Sequence, residues 1–256
     1  MFWSKLHVYT LIPTMVLYIV LAVVFKIVFK NKSDKARMIP IQVVTIILLG
    51  LEIAKQIYGF VKGYDLYWIP LHFCSLFIFI MPFAAFYNGK YKNTARMLGG
   101  VISTCLFLFM TVYPELIYGG DCIQASIDYI LGKGGRFIEL HSTLFHMIAY
   151  SLFFMYISLD VVEYNTKKDL IVVIIAFAIY CLVVAPFAHI IDTNFNNFCR
   201  CNAPFLEDVR LKLVESMSWG GQLIYVLMIS VGTIIVPILA YLLLRGIDKL
   251  IHKIAK

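Results

Sequence analysis

"WIPLHFCSLFIFIMPF", residues 68–83, is almost wholly apolar, yet it carries His72 and Cys74 two positions apart. Runs of this kind decide the fold class. Hydrophobic residues make up 61% of the 256 positions and only 14% are charged, with a mean hydropathy of +0.86. That is far more apolar surface than a soluble core of this length requires, so the chain is an integral membrane protein. Apolar stretches able to cross a ~30 Å hydrocarbon core, at about 20 residues each, occur seven times. They cover roughly 9–29, 40–62, 68–88, 96–113, 137–160, 168–190 and 219–246.

All seven are expected to be helices, because backbone polar groups in lipid must be satisfied within their own segment and nothing alternates like a barrel strand. The expectation is an all-α polytopic bundle folding as one domain over 1–256. The first run is kept as a span, since it is too long for a signal segment and no small-residue cleavage site follows a short apolar core. Connectors hold the basic residues unevenly: thirteen lie on the side of the first, third and fifth connectors and the C-terminus, against seven on the other. The positive-inside rule then places the N-terminus outside and the C-terminus in the cytoplasm, in a multi-pass protein of the cell membrane. This bias and contact with anionic headgroups account for the net charge of +7, so nucleic acid is not implied as a partner.

On that orientation the ionisable residues inside spans gather at one level. Read as helix, the third span puts His72 and Cys74 about 6 and 9 Å below the outer interface, and the fifth puts His141 and His146 about 6 and 14 Å down. Glu52, Lys55 and Gln56 fall in the middle and outer half of the second span, and His189 with Asp192, Thr193 and Asn194 ends the sixth. An ionised group at mid-helix costs ~3 kcal/mol, so these side chains are expected to face the bundle interior or a wet cavity. Each has a plainer role available. Glu52, Lys55 and Gln56 are i,i+3 and i,i+4 neighbours that can neutralise one another, and His189 and Asp192 at a helix end can be solvated.

As helical residues His72 and Cys74 would sit about 200° apart, so neither could serve the other, and a base for Cys74 must come from another helix. His141 and His146 diverge by about 140°, so one of them is expected to face that centre. A cysteine near a helix start, with Pro70 just inside it, has a stabilised thiolate, which makes Cys74 a candidate nucleophile.

The segment Pro70-Leu71-His72-Phe73-Cys74 resembles the Pro-Leu-His-apolar-Cys motif of the bacterial YwaF-like integral membrane family. The polar trio around Glu52, Tyr113-Pro114 ending the fourth span, Arg136-Phe137 opening the fifth and "DTNFNNF" (192–198) are similar too. That family in turn resembles eukaryotic transmembrane phospholipid acyltransferases and, more distantly, membrane lipid hydrolases of the androgen-induced-gene type. The resemblance implies a catalytic cysteine and histidine, which fall on Cys74 and His146, with His141 as a competing match. It implies acyl transfer between membrane lipids through a thioester, with His72, Glu52, Lys55, Gln56 and Asn194 in supporting places. No cofactor and no metal are called for, and the partners are phospholipids or lysophospholipids.

Other readings stay open. A small-molecule or ion transporter would also use an intramembrane His/Glu/Lys site, although no inverted repeat is visible. A haem or metal site built from the four histidines lacks any i,i+4 histidine pair. In the connectors, "PFLEDVRLKLVESM" (204–217) spaces Phe205, Val209, Leu213 and Met217 by four behind a possible cap at Asn202. It is expected to form an amphipathic helix roofing the polar level. Cys122, Cys199 and Cys201 share one compartment, where a disulfide from Cys122 to one of the other two is expected.

Overall fold

The structure is a computed structural model that describes residues 3–118, 121–201 and 203–254. Among these residues there are ten α-helices and two 3₁₀ turns, with no strand. The helices are α1 (Lys5–Phe29), α2 (Asp34–Lys62), α3 (Leu76–Phe86), α4 (Lys92–Val112), α5 (Glu115–Tyr118), α6 (Cys122–Ile130), α7 (Phe137–Leu159), α8 (Thr166–Ile190), α9 (Pro204–Met217) and α10 (Trp219–Ile254). Six of them, α1, α2, α4, α7, α8 and α10, are long and apolar enough to cross a membrane.

The seventh expected span differs. Between 68 and 88 only Phe73–Phe86 is helical, about 21 Å at 1.5 Å per residue. The cause lies in Ile69 and Pro70. A residue before proline is pushed out of the α region, and Ile69 has ψ 131°, while His72 is still extended at ψ 155°. Pro70 therefore precedes the helix by several residues and is not its first one.

The chain divides into two compact units. The first comprises Met1–Tyr58, Phe77–Tyr164 and Ala240–Lys256. Its centre is α4, whose Gly99 and Gly100 face Tyr156 of α7 and, for Gly100, Leu244 of α10. Ser103 and Thr104 donate back to the Gly99 and Gly100 carbonyls at 2.7 and 2.8 Å, so α4 satisfies its hydroxyls internally while packing closely. Arg96, at the start of α4, grips Asp34 at the start of α2 with two hydrogen bonds of 2.7 and 3.0 Å. Phe107 stacks on Phe153 at 3.9 Å, and Tyr18 of α1 donates to the Met147 carbonyl of α7 at 2.9 Å. Ser4 caps α1 in a reciprocal box with His7. Along α1 the residues Val16, Val20, Val23 and Ile27 stay exposed, a surface that suits lipid and not water.

The second unit comprises Gly59–Leu76 and Asn165–Leu239. Tyr180, Val184 and Ala188 of α8 pack on Phe195 and Phe198, joined by Ile69, Leu71 and Phe73 of the extended approach. The turn after α8 is tight because Asp192, Asn196 and Asn197 take left-handed φ values of 50°, 49° and 61°, which Asn and Asp tolerate. Phe195 and Phe198 are thereby turned fully inward. Tyr225 of α10 donates to the Asn197 carbonyl at 2.7 Å, and Asn196 donates to Thr233 at 2.9 Å. The expected amphipathic helix is α9, with the expected bounds. Its N-cap is Ala203, while the suggested cap Asn202 lies outside the described residues. Phe205 and Met217 remain exposed, and Arg210 pairs with Glu207 and Gln222.

Candidate functional site

In the first unit, α2 carries the polar trio at mid-helix. Lys55 Nζ lies 2.8 Å from Glu52 Oε1, and Gln56 Nε2 donates to the same oxygen at 2.7 Å. Glu52 and Lys55 are buried at 6% and 9% exposure, so the i,i+3 spacing has produced a self-neutralising pair. His141 of α7 has Lys55 and the Leu51 backbone as its electrostatic neighbours, and its ring lies against Phe145 at 5.7 Å. His141 Nε2 is buried without a hydrogen-bond partner among the described residues.

His146 keeps different company. Its Nδ1 lies 2.7 Å from the Ser142 carbonyl one turn back. A carbonyl only accepts, so the proton sits on Nδ1 and the lone pair on Nε2, the tautomer a general base requires. Its ring meets Tyr118 edge-on at 5.8 Å and Phe145 at 5.8 Å. Both α7 histidines are buried at 6% exposure. The two histidines face different interior neighbours, α2 for His141 and α5 for His146, as their angular divergence implies.

In the second unit, Cys74 stands in the 3₁₀ turn Phe73–Ser75 at the head of α3, and His72 is the residue before that turn. Neither the helical depths nor the 200° separation apply to this pair, because His72 is not helical. The approach is pinned from both ends. Tyr180 donates to the Leu71 carbonyl at 2.8 Å, and His72 Nε2 lies 3.0 Å from the Tyr67 carbonyl, with its ring against Tyr67 and Phe195 at 4.3 and 5.1 Å. Cys74 is half-buried and electrostatically close to the Tyr67 and Tyr180 phenols. Burial first, then Cys74 and Asp65, pushes the Tyr67 phenol above its ordinary range.

Asn194 anchors the turn after α8: its Oδ1 accepts from the Cys199 and Arg200 amides at 3.2 and 3.3 Å. It also lines a polar cavity of about 370 Å³ with Asp65, Tyr67, Asp192, Thr193 and Arg200. His189, read as a solvated helix end, is held instead: Nδ1 donates to the Ala185 carbonyl at 2.8 Å and Nε2 accepts from Gln222 at 3.1 Å. It borders a second cavity of about 420 Å³ with Cys199, Val214, Trp219 and Gln222.

All six cysteines are free thiols, so the expected disulfide is absent. Cys122 lies near Thr143 Oγ1 at 3.5 Å, and Cys199 near the Thr193 carbonyl at 3.6 Å. Burial raises both thiols above the usual range, which makes them weak nucleophiles. Among the described residues, one group has metal-ligand spacing: Asp160, Asp248 and His252, whose donor atoms lie within 4.8 Å of one another. Arg37 already pairs with Asp160, and His252 lies 3.6 Å from it, so Asp160 is engaged by side chains of the chain itself. Nothing in a local pattern marks Tyr118, Tyr180 or Gln222, whose partners lie dozens of residues away, whereas Tyr67 is engaged by His72 five residues on.

Six helices long and apolar enough to cross a membrane, with buried polar groups inside them, define a multi-pass helical membrane protein. The chain belongs to the TMEM164 family, whose family model matches residues 2–244. No curated protein and no solved structure matches it.

Proposed function

We propose that this membrane protein is a lipid acyltransferase or esterase of the cell membrane, with Cys74 as nucleophile and His146 as general base. The observation that carries the reading is the His146 tautomer: a buried imidazole in a membrane helix whose Nδ1–H is committed to the Ser142 carbonyl presents Nε2 as the base. In the proposed reaction a general base takes the Cys74 proton and the thiolate attacks the ester carbonyl of a membrane lipid. The carbon–oxygen bond breaks, the leaving alkoxide recovers the proton, and a thioester remains on Cys74. A lysolipid hydroxyl or water then resolves it.

His72 serves as a positioning group beside Cys74. Glu52, Lys55 and Gln56 orient α7 through His141, and Asn194 fixes the loop bordering the polar cavity. The transporter reading rests on the same Glu52–Lys55 pair, and self-neutralisation within one helix favours an orienting role over a transported charge. The test is lipid turnover by the purified full chain in vesicles containing phospholipid and lysophospholipid. Cys74→Ala and His146→Ala are expected to lose activity by at least ~100-fold, whereas His141→Ala retains most of it. Full turnover by Cys74→Ala, or no lipid turnover by the wild type, overturns the reading.

A further inference from the structure

Asp160 is the C-cap of α7, and Asp248 and His252 lie on the last turns of α10. All three belong to the first unit. Residues at i and i+4 share a helix face, so α10 presents a carboxylate and an imidazole together to the end of α7. The donor atoms of the three side chains lie within 4.8 Å of one another.

Contacts inside the group are loose. His252 Nε2 stands 3.6 Å from Asp160 Oδ1, beyond the ~2.7–2.9 Å of a charge-assisted hydrogen bond. Arg37 makes its short bond, 2.8 Å, to the Asp160 backbone carbonyl and comes only within 3.5 Å of the carboxylate. Asp248 is half-buried and takes no hydrogen bond and no ion pair among the described residues, while Asp160, of the same charge, is one of its electrostatic neighbours. A half-buried carboxylate beside another carboxylate calls for a cation between them. The 3.6 Å spacing is also that of donors sharing an ion: tetrahedral ligands about 2.1 Å from zinc lie about 3.4 Å from one another.

We propose that Asp160, Asp248 and His252 form a binding site for a divalent transition-metal ion of the zinc class, which ties the end of α7 to the end of α10. Asp160 Oδ1, one Asp248 oxygen and the His252 Nε2 lone pair supply three ligands. The fourth place is open to water, since the Asp160 and His252 side chains are about half exposed. One imidazole among carboxylates selects zinc over calcium, which takes an all-oxygen set of six or more ligands. Lys26 and Arg37 stand close enough to oppose the ion, which sets the affinity in the micromolar range. None of the three ligands belongs to the proposed acyl-transfer machinery.

The test uses the purified full chain in detergent, without an affinity tag and with its accessible thiols alkylated so that cysteines do not bind zinc. Zinc chloride is titrated against a fluorescent chelator, and thermal melts are recorded with zinc, with calcium and with neither. Wild type is expected to bind one zinc ion with micromolar affinity and to melt higher in saturating zinc, with no gain in calcium. Asp160→Asn, Asp248→Asn and His252→Gln are each expected to weaken zinc binding at least ~10-fold and to lose the thermal gain, with zinc-free melts like the wild type's. Absence of saturable zinc binding by the wild type overturns the site, as does wild-type affinity in the three variants. A wild-type melt that does not move in saturating zinc overturns the tie between the helices.

Discussion

Removing one partner of the Glu52–Lys55 pair exposes what mid-helix burial costs. At 2.8 Å and an effective dielectric of ~20, the two charges attract by about 6 kcal/mol, set against a desolvation penalty of several kcal/mol per ion. The intact pair is therefore close to neutral for stability, but a stranded carboxylate is not. Lys55→Met leaves Glu52 buried with one donor, Gln56, and should cost about 3 kcal/mol. For a chain of this length that corresponds to a fall of roughly 6–12 °C in melting temperature. Glu52→Gln with Lys55→Met removes both charges and should recover most of the loss. The assay is scanning fluorimetry of the detergent-solubilised chain, run as a double-mutant cycle. A Lys55→Met deficit below about 1 kcal/mol, or a double variant no better than the single, would refute burial as the controlling term.

Two further outcomes follow from packing and charge. A Cβ on Gly99 would overlap the Tyr156 hydroxyl and come 2.8 Å from the Ala84 Cβ, so Gly99→Ala should lose about 1–3 kcal/mol in thermal melts. Gly232→Ala, with nothing within 4 Å of its Cβ, should be neutral in the same melts. Glu207 has its carboxyl held below the usual range, chiefly by hydrogen bonds from Arg210 and then by the Cys201 amide. A lowered carboxylate pKa stabilises above the unfolded value and is lost as pH falls through the folded one. The protection of the Cys201 amide, which donates to Glu207 at 2.7 Å, measured by hydrogen exchange against the intrinsic rate at each pH, should therefore fall as pH drops through the lowered Glu207 titration, and should not change with pH there in Glu207→Gln.

Much of the architecture was legible because lipid simplifies the problem. Backbone satisfaction forces helices, and hydropathy locates them, so six long helices and the amphipathic α9 emerge from sequence with near-correct bounds. At 68–88 the difference comes from Pro70, which belongs to an extended approach and not to the first turn of the helix. "WIPLHF" is as apolar as a span, but Ile69 before proline cannot enter the α region, and the helix waits until Phe73. The polar trio of α2 was readable from its spacing alone. The differing surroundings of His141 and His146 were not, because Leu51 and Tyr118 are supplied by other parts of the chain. Tyr118 carried no signal in "PELIYGG", where it resembles any aromatic residue in a connector.

The shortness of α3 makes this chain answer to the thickness of its host bilayer. A crossing by the roughly 21 Å of helix from Phe73 to Phe86 would fall short of a ~30 Å hydrocarbon layer, a mismatch to be met by local thinning or by the non-helical residues before it, at fractions of a kcal/mol per Å. Cys74 stands at the boundary where that adjustment falls. Sterol-rich, thicker membranes and thinner internal ones would therefore set the thiol at different depths relative to the surrounding acyl chains. Lipid environment thus becomes a determinant of what the thiol can reach.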